Sequence, residues 1–242
     1  MHSRIVRELG LRIVSGEFQA GERLPQESVL CTDYCVSRPV LREVVRVLVA
    51  KGLVVSRQGA GAIVRERVDW HLLDPDVLYW LIQTKPQKEF VETLLTVRRI
   101  FEPAAAALAA RDASIEDIDA IAEAYEAMEK ATTPEEFLEP DLAFHLRIAA
   151  ASGNDLVAYI GNMLSLALGE SIKLSGKLAN AHALSLPRHK AILTAVRNRD
   201  PLAARQAALV QLEKTEDDLA HVLASGLDLV QPRPVLFTSS SS

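Results

Sequence analysis

The sequence predicts a mainly α protein in two parts: an N-terminal head of three helices and a β-hairpin, then an all-α helical bundle. Apolar residues recur at helical spacing over most of the 242 residues. β-branched runs with a glycine-rich centre occur between Leu53 and Val64. Aromatics are only 5% of the chain while alanine and leucine abound, a balance that favours helices over sheets. With 49% hydrophobic and 24% charged residues, a chain of this length can bury a core without staples.

Each element of the head has its own signal. Ile5, Leu9, Ile13 and Val14 share a helical face that ends at Gly16, a natural C-cap. The loop 17–25 leads to Pro25, which can open a second helix over about 26–34. After a turn at 35–37, Ser37 is a good N-cap, and Pro39 in the first turn costs no hydrogen bond. The third helix is predicted to bury Val40, Leu41, Val44, Val45 and Leu48 and to expose Arg38, Arg42 and Arg46. Leu53–Val55 and Ala62–Val64 then pair around the tip 57–61. This order is a winged helix-turn-helix, whose third helix fits a major groove of double-stranded DNA. Charge agrees. Residues 1–67 carry 11 Lys/Arg against 7 Asp/Glu, and the remainder 16 against 25, so a basic head sits on an acidic body. One small head meets one half-site, so a palindromic operator calls for a homodimer.

The expected organisation is a DNA-binding domain over 1–67, a packed linker over 68–86, and an all-helical effector-binding and dimerisation domain over 87–226. A disordered tail over 227–242 is expected from Pro232, Pro234 and the four final serines. The bundle divides into six helical segments, roughly 87–111, 115–131, 134–152, 154–175, 185–198 and 201–224. No apolar run approaches the roughly 20 residues that span a bilayer. Met1–Arg7 lacks the apolar stretch of a secretory signal, and Cys31 and Cys35 cannot make a disulfide framework. A cytoplasmic protein without a membrane partner is expected. Both cysteines read as buried thiols of the second helix.

Several motifs in register carry a family resemblance: Ile13–Gly16, Ala20–Glu27, Val36–Glu43, Gly52–Val54 and Gly59–Val64. They resemble the GntR family of bacterial transcription regulators, and the helical remainder is similar to the FadR-type effector domain, the FCD domain. The resemblance implies a DNA-binding regulator, in the repressor sense, and not an enzyme. It implies that Ser37 opens the recognition helix, that Arg38 and Arg42 contact bases and phosphates, and that Gln58 and Gly59 of the wing approach the groove. A guanidinium fork pairs bidentately with guanine or straddles a phosphate, and glycine lets the backbone come close. Ser28 departs from members that carry arginine at that position, so that contact does not carry over. Glu27 and Glu43 are expected to orient the arginines. The wing and the charge asymmetry count against the alternative, a merely solvated helix face.

Asp141 and His145, spaced i, i+4, bring a carboxylate and an imidazole within reach of one ion. On spacing alone, an ordinary helix-face pair is the better account. The resemblance implies more, because FCD domains bind a divalent metal through an Asp and three His. Asp141 and His145 match the first two ligands and His189 the third. Gln211 falls where the fourth histidine is expected, and its neutral amide oxygen is a weak donor. A divalent ion of the Zn, Ni or Mn type on Asp141, His145, His189 and water is expected. The alternative is a metal-free site in which Gln211 bonds the effector. His182 and His221 are expected at the surface.

The resemblance also implies a small carboxylate effector, met by an inward Arg98. A buried arginine needs such a ligand or an internal acid such as Glu102. Asn154 should cap the helix after Ser152 and Gly153, and with Arg98 and Gln211 it is a candidate effector contact. The connector Trp70–Trp80 is similar to that of galactonate-operon-type regulators, some of which also lack the fourth histidine. A sugar acid is therefore the expected effector, with lactate or a fatty acyl-CoA as alternatives. The rival class is a metal-dependent enzyme using the Asp/His/His cavity. Against it, the sequence shows no positioned acid/base partner, nucleophile elbow or phosphate loop.

Overall fold

Glycine and apolar spacing set the head. The computed structural model describes residues 2–57, 59, 61–84, 87–178 and 180–225; the wing residue Gln58 and the tail 227–242 lie outside them. Helix α1 (His2–Val14) buries Ile5, Leu9 and Ile13 and is followed by Gly16 at φ +83°, a left-handed position suited to glycine. Helix α2 (Glu27–Asp33) is short. Cys35 lies past its end at φ +51° and is exposed, and Cys31 is half-buried, so the pair is not the buried one expected.

Helix α3 (Arg38–Ala50) packs on α1 through Leu41, Val44 and Leu48. Val40 and Val45, also expected in the core, are only half-buried: α1 and side chains from beyond the wing take up the core beside Leu41, Val44 and Leu48, and Val45 flanks the groove beside the wing. The wing pairs β1 (Val54–Arg57) with β2 (Gly61–Val64) in antiparallel register, Val54 opposite Val64 and Arg57 opposite Gly61.

The connector folds further than its sequence suggests. It is a 3₁₀ turn at Arg67–Asp69 followed by helix α4 (Pro75–Thr84). Val77, Trp80 and Leu81 of α4 join the core of the head. The Trp80 ring lies so close against Gly10 of α1 that a Cβ there would overlap it. Lys51, just past α3, reaches Asp74 at 2.8 Å and Asp76 at 2.7 Å and stands 5.8 Å from the Trp80 ring centroid. On the other face of α4, Leu78 and Ile82 pack against a second cluster that includes Phe90, Leu94, Leu174 and Leu219. One helix thus has a side in each core.

The bundle comprises α5 (Gln87–Asp112), α6 (Ile115–Lys130), α7 (Pro134–Ala150), α8 (Asp155–Ser175), α9 (Ala181–Arg197) and α10 (Pro201–Ser225). Its boundaries follow the local signals. Ser114 and Asp117 form a reciprocal capping box, Thr133 caps α7, and Asn154 caps α8. Only α9 departs clearly, starting at Ala181 and not near 185. Pro187 reads like a first-turn proline but sits inside the helix. A core of Ala105, Ala106, Ala109, Ile121, Phe144, Ile192 and Ala204 joins these helices, with alanines allowing close approach. The mainly α fold with a winged head is as the sequence predicts.

Gly10→Ala should destabilise the protein by roughly 1–3 kcal/mol, because overpacking against Trp80 outweighs the helical preference for alanine. Urea denaturation measures this; an unchanged or higher midpoint would displace α4 from α1.

Candidate functional site

Helical spacing places Asp141 and His145 one turn apart on the inner face of α7, and α9 brings His189 to meet them. His145 Nε2 and His189 Nε2 lie 3.3 Å and 3.0 Å from the same oxygen, Asp141 Oδ1. All three side chains are buried, and one ligand atom from each lies within 4.8 Å of the others. Both rings have fixed protons. His189 Nδ1 is 2.9 Å from the Ser185 carbonyl, which only accepts, so this nitrogen carries the hydrogen. His145 Nδ1 faces Glu102 Oε2 at 3.2 Å. With both imidazoles neutral, both Nε2 atoms turn lone pairs toward Asp141 Oδ1, which among the described residues has no hydrogen-bond donor despite the short contacts.

Three converging acceptors need a cation between them. In the protein alone a proton can serve. Burial would lower the His145 pKa, but Glu102 and then Asp141 outweigh it and raise it to about 9. Burial likewise opposes ionisation of Asp141, yet the two histidines hold its carboxyl below the ordinary range. The donor set of one carboxylate and two neutral imidazoles equally suits a borderline divalent metal. Gln211 of α10 adds a fourth group, with Nε2 at 3.5 Å from His189 Nε2 and a buried Oε1 that has no partner among the described residues. Rotating the amide by half a turn would present that oxygen to the cluster.

Arg98 of α5 is almost wholly buried beside this group. Its Nε donates to Glu102 Oε1, Nη2 lies 3.4 Å from Oε2, and Nη1 donates to Ser171 Oγ of α8 at 3.0 Å. Burial would raise the Glu102 carboxyl, but the Arg98 charge and then His145 hold it down, to about 2. The i, i+4 spacing of Arg98 and Glu102 was a readable signal; the bridge from Glu102 to His145 on another helix was not.

A cavity of about 470 Å³ opens over these groups. Arg98, Asp141, His145 and Gln211 lie on its wall, with Ser185, Thr215 and an ion pair of Arg188 and Asp218 at 3.4 Å. His182, expected at the surface, lines it too, because α9 begins a turn earlier than predicted and sets His182 near Phe137. His221 is exposed as expected. Asn154 is not on the cavity wall. It is exposed, and its Oδ1 accepts from the backbone of Leu156 and Val157.

In the head, Arg38, Arg42 and Arg46 form the exposed face of α3. Arg42 donates to Glu27 at 3.0 Å and Arg46 to Glu43 at 3.1 Å, as expected of acids that orient arginines. These surface pairs are weak enough to exchange for other anions. Ser37 precedes α3 with extended backbone, but its side chain makes no capping bond. A groove between α3 and the wing is flanked by Arg42, Val45, Arg46, Gly59 and Gly61. Gly59 has φ +74°, as a tight tip requires.

A profile of the FCD domain matches residues 93–214, and a profile described as bacterial regulatory proteins, gntR family, matches residues 1–64. The chain belongs to the GntR family. It is a transcriptional regulator with a DNA-binding head, not an enzyme. Among GntR-family relatives, the galactonate operon transcriptional repressor of Escherichia coli (strain K12) is 33% identical over 90% of this chain and 96% of that protein. The HTH-type transcriptional regulator LutR of Bacillus subtilis (strain 168) is 32% identical over 86% of this chain and 96% of that one. The fold of this GntR-family chain is also that of Lar from Listeria monocytogenes, with a TM-score of 0.61 at 20% identity, covering 90% of this chain and 96% of the other. It is shared with Streptococcus agalactiae GntR, at 0.52 and 24%, covering 90% and 99%.

In this GntR-family regulator, Arg98→Met should destabilise the fold by about 3–5 kcal/mol, since it strands the buried Glu102 carboxylate. Adding Glu102→Gln should restore most of that loss. Chemical denaturation of both variants is the check, and equal stability of the two would remove the pair from the core.

Proposed function

We propose that this regulator acts as a homodimeric repressor at a palindromic operator and responds to a sugar acid. Ser37, Arg38 and Arg42 of the recognition helix, with Gln58 and Gly59 of the wing, meet the DNA. The single observation that carries the effector reading is the cavity whose wall holds Asp141 and His145 together with Arg98, with His189 buried behind the first two. The three converging ligand atoms fit a divalent ion, with water or Gln211 completing the set. Such an ion supplies a Lewis-acid contact for a carboxylate. Arg98 retains two N–H groups beyond the three engaged by Glu102 and Ser171, enough to meet the same carboxylate. Hydroxyls find Gln211, Thr215, Ser185 and the Arg188–Asp218 pair. Similarity to a repressor of a galactonate operon supports the choice of an aldonate over lactate or an acyl-CoA.

The route to the head runs through α8 and α4. Ser171 ties α8 to Arg98, and Leu174, one turn on, packs in the cluster that receives Leu78 and Ile82 of α4. A shift of α8 on effector binding would reach a helix whose other side is fixed in the head. The coupling required is modest, typically about 1–3 kcal/mol.

Arg38→Ala should weaken operator binding by roughly 1–3 kcal/mol and leave the melting temperature intact. A gel-shift titration with unchanged affinity would remove α3 from the groove.

D-galactonate, D-gluconate, L-lactate and an acyl-CoA should be titrated against the protein–operator complex. Release by an aldonate is expected, and Asp141→Ala should lower both bound divalent metal and aldonate affinity. Release by lactate or acyl-CoA alone would overturn the effector assignment. Wild-type protein that takes up no divalent ion on reconstitution would overturn the metal centre.

A further inference from the structure

Glu102 lies behind the cavity wall, between Arg98 and His145, and the proposed function gives it no role of its own. It stands on α5, one turn beyond Arg98, and is buried. Its Oε1 accepts from Arg98 Nε, and its Oε2 lies 3.4 Å from Arg98 Nη2 and 3.2 Å from His145 Nδ1. An imidazole that ligates through Nε2 must carry its hydrogen on Nδ1. An acceptor at that hydrogen fixes both the tautomer and the orientation of the ring. For His189 the acceptor is a backbone carbonyl, Ser185 O, supplied by its own helix. For His145 it is a side chain from a different helix, and that side chain is held in place by the Arg98 fork.

We propose that Glu102 is a positioning residue of the metal site: it fixes His145 as an Nε2 ligand, from a carboxylate clamped by Arg98. The two imidazoles are thus oriented by different means. His189 is set by the geometry of α9 alone, and His145 is set by the packing of α5 against α7. The inference rests on the metal centre proposed above, for which the ligands would be Asp141, His145 and His189.

The test is Zn²⁺ affinity of the full chain, by competition with a chromophoric chelator, together with the visible spectrum of the Co²⁺-substituted protein. In Glu102→Gln the amide oxygen still accepts from Nδ1, and Zn²⁺ affinity should stay within about threefold of wild type. In Glu102→Ala no acceptor remains, and affinity should fall roughly 10- to 100-fold with a changed Co²⁺ spectrum. Because Glu102→Ala strands a buried guanidinium, both variants are also made with Arg98→Leu, which removes that charge. The contrast between Arg98→Leu/Glu102→Gln and Arg98→Leu/Glu102→Ala should persist. If wild type binds Zn²⁺ and the glutamine and alanine variants bind it equally, the role of Glu102 is overturned and the metal centre stands. If wild type binds no Zn²⁺ that Asp141→Ala removes, the metal centre falls and this inference with it.

Discussion

Charge withdrawn from water must be answered locally, and the floor of the FCD cavity is organised by that requirement. Arg98, Glu102, Asp141, His145 and His189 come from three helices and share one buried level of the bundle. With both imidazoles neutral, the group carries two carboxylates and one guanidinium, an uncompensated negative charge in a medium that tolerates none. A cation must enter. The raised pKa of His145 is the protein's own answer, and a divalent ion is the alternative that the same lone pairs can accept. This demand fixes how α5, α7 and α9 face one another, because each contributes a group whose partner lies on another helix. Capping boxes and alanine packing set where the helices begin and how near they come. The charge balance sets which faces meet.

Much of this is legible in the amino-acid sequence. Helix boundaries in the bundle followed local chemistry at Ser114, Thr133 and Asn154, where a side-chain oxygen satisfies backbone donors within three residues. The face shared by Asp141 and His145 followed from a single turn of α7. What spacing could not show is any relation that crosses helices. His189 is 44 residues beyond His145, with α8 between, and it entered through family resemblance. Glu102 was recognised as a partner for Arg98, four residues away, but not for His145. His182 falls in the polar Gly/Asn stretch ahead of the helix expected near 185, which reads as surface; the helix starts at Ala181 instead and carries the ring to the cavity wall. Asn154 shows the reverse error. A cap signal was real, and it left no side-chain capacity directed at the cavity.

The head was legible in outline and wrong in one respect that matters. Periodicity puts Val40 and Val45 in its core, yet a head this small is filled by Leu41, Val44 and Leu48 and by side chains from outside the helix-turn-helix. Val77, Trp80 and Leu81 supply the missing volume, and the sequence read their segment as connector.

That borrowed volume bears on how such regulators can be cut and rejoined. A chimera that joins this head to a foreign effector domain at the end of the wing would leave Gly10 facing a void and Lys51 without its two aspartates. The transplantable unit runs through Thr84. Its graft surface is then the outer side of α4, where Leu78 and Ile82 must find a new host. By the same logic, two relatives can exchange heads freely only where their α4 helices present compatible outer faces, because head and bundle meet through one ten-residue helix.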